Sequence, residues 1–199
     1  MDFTLDKKHE MARQLFKDFA EKEVKPLAQE IDETERFPRE TVDKLAKFGF
    51  LGIPIAKEYG GQGCDVLTYV MCVEEMAKQC GTTSVIISAH TSLCCDPIAT
   101  YGTEEQKQKY LVPLAKGEKL GAFALTEPGA GTDAQGVQTK AVKDENGDWI
   151  VNGSKIFITN GKQADVYIVF AQTGAHIYRI PGSLASWYAK RGTAVRFPS

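Results

Sequence analysis

The sequence predicts an α+β chain: an all-helical N-terminal domain over residues 1–119, then the first part of a β-barrel or sandwich domain over 120–173. Three observations carry this prediction. Before Leu120, apolar residues recur at three- and four-residue steps, the period of a helix with one buried face. After Leu120 they alternate, the period of strands. Asn146-Gly147 then separates two alternating runs, a strong short-range hairpin signal.

The helical elements follow in order. Met11, Leu15, Phe16, Phe19, Val24, Leu27 and Ile31 share one face of a helix over residues 6–31, in which Pro26 predicts a kink. A second helix runs from Pro38 to Phe48 and closes at Gly49. The glycine-rich stretch after it reads as an extended loop. Asp65 caps a third helix to about Lys78, with Val66, Val70, Val73 and Ala77 expected inside. The stretch TTSVIISAHTSLCCDPIATYG is apolar almost all round, which suits a central buried helix bent at Pro97. Thr103 and Gln106 form a capping box that opens a last helix ending near Gly117.

Strands are expected in GAFALTE, VQTKAVK, WIVNGSKIFITN and DVYIVFAQT. Four strands leave an edge and an apolar face that further chain should cover. Residues 174–199 read as a divergent basic tail: they hold no Asp or Glu but carry Arg179, Lys190, Arg191 and Arg196, and sustain neither periodicity. That break suggests a frameshifted or fused end.

With 43% hydrophobic and 25% charged residues the 199-residue chain has a globular composition, and its net charge of −2 gives no basic surface for nucleic acid. No apolar run reaches the ~20 residues of a membrane span, and the N-terminus resembles neither a secretory signal nor a transit peptide. A cytoplasmic, bacterial-type protein is expected. Cys64, Cys72, Cys80, Cys94 and Cys95 show no paired spacing, so free thiols are expected, with no metal site. His90, alone on an apolar helix, reads as a core residue.

Two motifs can carry chemistry. TEPGAGTDA, residues 126–134, follows a predicted strand and offers backbone N–H groups and hydroxyls without side-chain bulk, which suits polar ring edges or phosphate oxygens. Its spacing fits a plain turn equally well. GSKIFITNG, residues 153–161, places Phe157 and Thr159 on one face of a strand, an aromatic wall beside a hydroxyl that suits a flat heteroaromatic cofactor. Core packing explains Phe157 as readily.

Taken together and in this order, the helical domain, CCDPIATYGTEEQKQKYLVPLAKGEKLGAFALTEPGAGTDA, a hairpin, NGSKIFITNG and ADVYIVFA resemble the acyl-CoA dehydrogenases over residues 1–173. The short-chain, butyryl-CoA type is the nearest likeness. The resemblance implies an FAD-dependent α,β-dehydrogenation of short-chain acyl-CoA, with electrons passed to electron-transfer flavoprotein and a homotetramer in the full-length family. It places Phe123, Leu125, Thr126, Gly131 and Thr132 along the cofactor, with Leu125 and Thr126 at the pyrimidine side of the ring. Thr132 stands where relatives have a serine that meets CoA. Phe157, Ile158 and Thr159 form the second flavin strip; many relatives have tryptophan at the Phe157 position. Cys95 falls where the acyl tunnel's end is shaped, although Cys94 and Cys95 also read as ordinary small core residues.

The family's glutamate base belongs to a C-terminal four-helix bundle, outside the matched segment, so no residue here is assigned as catalytic. A truncated chain, inactive alone, is therefore expected. A non-catalytic flavin- or acyl-CoA-binding or assembly fragment, and an acyl-CoA oxidase or flavin monooxygenase relative, remain as alternatives.

Overall fold

A computed structural model describes residues 4–174 and 187–190. The chain divides into two compact units, Met1–Lys119 and Leu120–Ser199. Among the described residues no helix is long and apolar enough to cross a membrane.

The first unit is helical. Helix α1, Lys7–Phe19, is capped by Asp6, whose side chain accepts from the His9 N–H. It continues through a π-helical turn, Ala20–Val24, into α2, Lys25–Thr34. Pro26 thus sits in the first turn of α2, and the expected kink is the widened turn that absorbs its missing N–H. Helix α3, Arg39–Lys47, ends at Gly49, where φ is 73°. The loop that follows holds two short 3-10 turns, Phe50–Gly52 and Lys57–Tyr59, and is not extended throughout. Phe16, Phe19 and Phe50 meet edge to face, with ring centroids 5.0 to 5.2 Å apart.

Helix α4, Val66–Ala77, is capped by Asp65, but its buried face is not the expected one. Thr68, Met71, Cys72, Glu75 and Met76 are buried, whereas Val66 and Val70 are exposed. The inward face carries a charge: Glu75 receives Arg13 Nε at 3.3 Å and Lys78 Nζ at 2.7 Å. Charge pairing with neighbouring side chains selects that face over the more hydrophobic valines.

Helix α5, Gly81–Ser88, runs through a π-helical stretch, Ala89–Cys95, into α6, Asp96–Tyr101, again with a proline just after the widened turn. His90 is wholly buried, its Nε2 3.2 Å from the Leu114 carbonyl and 3.4 Å from Cys95 Sγ. Burial pushes its pKa down to about 4, so it packs as a neutral ring. Both halves of the Thr103–Gln106 capping box form at α7, Glu104–Gln106. A π-helical turn then leads into α8, Val112–Ala115. All five cysteines are free thiols.

The second unit holds two small sheets. Strand β1, Gly121–Ala124, pairs in parallel with β4, Val166–Val169, which pairs antiparallel with β5, Trp187–Lys190. β4 lies between two strands and is buried at every position, which explains its unbroken apolar run. Strand β2, Lys140–Lys143, forms an antiparallel hairpin with β3, Trp149–Asn152. The Asn146-Gly147 turn closes it: Gly147 takes φ 83°, and the Asp144 carboxylate accepts from the N–H groups of Asn146 and Asp148. β5 is a strand where the sequence shows no alternation. The rest of the expected basic tail, apart from Gly174, lies outside the described residues.

The long third strand expected over residues 149–160 stops at Asn152. Gly153 lies so close to Thr139 that a Cβ there would come within 2.2 Å of its hydroxyl, and Phe157 and Asn160 take left-handed φ of 57° and 66°. Left-handed residues break strand alternation, so the shared strand face proposed for Phe157 and Thr159 does not exist.

Candidate functional site

The segment after β1 turns back sharply. Glu127 and Ala130 exchange two backbone hydrogen bonds of 3.1 Å, which folds EPGA into a tight turn. Gly129 and Gly131 stand in open space, with no atom within 4 Å of where a Cβ would be. The turn therefore presents its backbone outward with little bulk.

Glu127 anchors this turn from inside, although its residue type alone would put it at the surface. It is 5% exposed, and its carboxylate accepts from the Gln138 N–H (2.5 Å), the Thr139 N–H (2.9 Å), the Thr139 hydroxyl (2.5 Å) and Lys155 Nζ (2.8 Å). Burial pushes its pKa up. The Gln138 N–H, the Lys155 ammonium and the Thr139 donors more than reverse that, and hold it down at about 2. Lys155, 8% exposed, also donates to the Leu125 carbonyl at 2.8 Å. The next residue adds a backbone bond, Ile156 N–H to the Thr126 carbonyl, at 2.9 Å. The two motifs are thus stitched together, 125–127 to 155–156, by one buried ion pair, the Lys155 bond to the Leu125 carbonyl and one backbone bond.

This stitching sets the direction of the outward groups. In a trans peptide the C=O and the following N–H point opposite ways. The Ala124 carbonyl accepts from the Phe170 N–H at 3.1 Å, so the Leu125 N–H points away from β4. The Leu125 carbonyl is held by Lys155, so the Thr126 N–H points away from Lys155. Among the described residues neither N–H meets an acceptor.

Phe157 follows Ile156 directly. It is 88% exposed and sits at φ 57°, a conformation that costs a non-glycine residue roughly 1–2 kcal/mol. An aromatic ring held out of the core in a strained backbone marks a residue placed for contact rather than packing. Thr159, two residues later, is half-buried. Asn160 fixes the far end by donating to the Gly121 carbonyl at 3.0 Å, and the Tyr167 hydroxyl donates to the Gly161 carbonyl at 2.7 Å.

The remaining sequence candidates fall into three groups. Thr132 is exposed on the outer turn beside Gly131. Phe123 and Ile158 are engaged within the unit, Phe123 against Phe170 at 5.0 Å between centroids and Ile158 against the core of Ala122, Ala124, Ala164, Tyr167 and Val169. Cys95 lies in the helical unit with no exposed surface, and burial raises its thiol well above the usual range. Glu127 and Lys155 went unnoticed in the sequence. The available signal was the lone base of GSKIFITNG set against the acids of TEPGAGTDA, Glu127 and Asp133.

The "Acyl-CoA dehydrogenase, N-terminal domain" model matches residues 6–118 and the "Acyl-CoA dehydrogenase, middle domain" model residues 122–188. The chain is 62% identical over 173 residues to the short-chain specific acyl-CoA dehydrogenase of Clostridium acetobutylicum, covering 87% of this chain and 45% of that one. It is 48% identical over 166 residues to the caffeyl-CoA reductase-Etf complex subunit CarC of Acetobacterium woodii, covering 83% and 44%. Among solved structures, acyl-CoA dehydrogenase complexed with FAD from Bacillus anthracis superposes with a TM-score of 0.80 at 38% identity, covering 85% of this chain and 29% of that one. The chain spans less than half the length of these curated relatives. Both domain models and a helical unit followed by small sheets lead to one assignment: the chain belongs to the acyl-CoA dehydrogenase family.

Proposed function

We propose that the 125–132 and 155–159 loops hold the ring of FAD, and that the protein this chain belongs to oxidises short-chain acyl-CoA thioesters between Cα and Cβ. The observation that carries this reading is a pair of consecutive, unengaged N–H donors, on Leu125 and Thr126, stitched to the segment that presents the exposed, strained Phe157. A flat ring with acceptors along one edge fits these groups: the N–H pair meets the acceptor edge and the phenyl ring covers a face. When bound, the flavin supplies the two-electron oxidation.

The chain's own contribution is orientation. With the flavin bound, Leu125 and Thr126 would hold its pyrimidine side, Phe157 and the Ile158 backbone would screen it from water, and the Thr159 hydroxyl would reach its reactive nitrogen. Thr132 and Gly131, exposed on the outer turn, would leave room for the CoA moiety. Glu127 is not the base that takes the α-proton: four donors saturate its carboxylate and hold its pKa at about 2, which makes it a weak proton acceptor. The base is the family's glutamate from the C-terminal bundle, and the electrons leave to electron-transfer flavoprotein, in keeping with the Etf complex of the A. woodii relative.

That relative's name also favours a second reading, in which the same site runs as an enoyl-CoA reductase. Purified chain with FAD, butyryl-CoA and an artificial acceptor, against crotonyl-CoA and a reduced dye, separates the two directions. Uptake of FAD without turnover in either direction supports a binding fragment that needs the family's C-terminal region. Absence of FAD uptake contradicts the flavin reading.

A further inference from the structure

We propose that Lys155, held in place by Glu127, is a positioning residue for the cofactor: it clamps the Leu125 carbonyl so that the Thr126 N–H is aimed at the ring. This rests on the flavin reading above and assigns roles to two residues that do not themselves touch the ring.

The geometry is specific. Lys155 Nζ is shared between the Leu125 carbonyl and Glu127 Oε1, both at 2.8 Å. Because the peptide is planar, fixing that carbonyl fixes the Thr126 N–H on the opposite side. Glu127 cannot drift, since Gln138 and Thr139 grip it from the segment just before β2. A buried ion pair is a poor way to gain stability, because desolvation offsets most of the attraction and apolar residues would do as well. What it adds is direction: an ammonium can bind a carboxylate and a carbonyl at once, and a leucine in its place can bind neither. The neighbouring peptide is oriented by a second device, the Phe170 N–H on the Ala124 carbonyl, so both open donors are set by groups behind them.

The test compares Lys155→Met, Lys155→Arg and Glu127→Gln with the parent chain. Riboflavin affinity, measured by titration, reads the ring contacts; amide exchange at Ile156, Gln138 and Thr139 reads the clamp, and exchange at Ile168 in β4 reads the fold around it. Lys155→Met should weaken riboflavin about 10-fold, as expected for a misdirected hydrogen bond, accelerate exchange at the three amides and leave Ile168 protected. Lys155→Arg should recover most of the riboflavin affinity, because its fork can still span both oxygens. Riboflavin affinity equal to the parent's in Lys155→Met overturns the proposal, as does equal loss of protection at Ile168, which marks a general structural defect. A parent chain that takes up no riboflavin is a different result: it removes the flavin reading itself.

Discussion

Phe157 states the conflict between stability and function most openly at the scale of one residue. Its φ of 57° suits glycine, and its ring gains nothing from the core because it is 88% exposed. Replacing it with glycine should therefore raise the melting temperature, by the equivalent of about 1 kcal/mol, while weakening flavin binding. Thermal unfolding and a flavin titration on the same variant check both halves; a loss of stability would mean that the ring packs after all. Glu127 behaves oppositely. Its pKa is lowered to about 2 in the fold against an ordinary 4.5, so its contribution is present above about pH 4.5 and disappears as pH falls toward 2. Acid unfolding of the parent, followed by tryptophan fluorescence in the second unit, should steepen across that window. Glu127→Gln should flatten it and cost about 3–5 kcal/mol at neutral pH, because a buried ammonium loses its partner.

At the scale of elements, helix caps also couple helices, and of the two concerned only Asp65 was legible in the sequence. His9 links two of them: its Nδ1 lies 2.8 Å from Asp6, the cap of α1, and its Nε2 2.9 Å from Asp65, the cap of α4. The bond to Asp65, then the one to Asp6, raises the His9 pKa above 6.5. A raised histidine stabilises the fold when protonated, so its contribution is full at mildly acidic pH and fades as pH rises through its folded value. The melting temperature of the parent should fall slightly from pH 6 to pH 8 relative to His9→Gln, and identical profiles would contradict the link. Periodicity was a good guide to where helices lie and a poor one to the face α4 buries. Hydrophobicity favours Val66 and Val70, but Glu75 goes inside because Arg13 and Lys78 meet it there. The same limit applies to residues 153–160, where alternation suggests a strand and contacts distant in sequence dictate a loop. Gly153 records the constraint: Gly153→Ala should drive a methyl into Thr139 and cost about 1–3 kcal/mol in thermal unfolding.

At the scale of the whole molecule, the change of period near Leu120 gave away the α+β architecture, because helices and strands bury apolar residues at different spacings. The candidate site was only half legible. Its outward groups, Leu125, Thr126 and Phe157, lie in motifs that announce themselves by glycine, threonine and aromatic content. The buried pair that aligns them did not, since no local pattern marks an acid and a lysine 28 residues apart as partners. On the proposed reading, these two loops already form a flavin-ring site within the second unit. Titration of the purified chain with FAD, followed by visible absorbance, tests it most directly. A saturable change in the flavin spectrum, suppressed in Phe157→Gly and Lys155→Met, is the predicted result; a spectrum identical to free FAD at every protein concentration would contradict it.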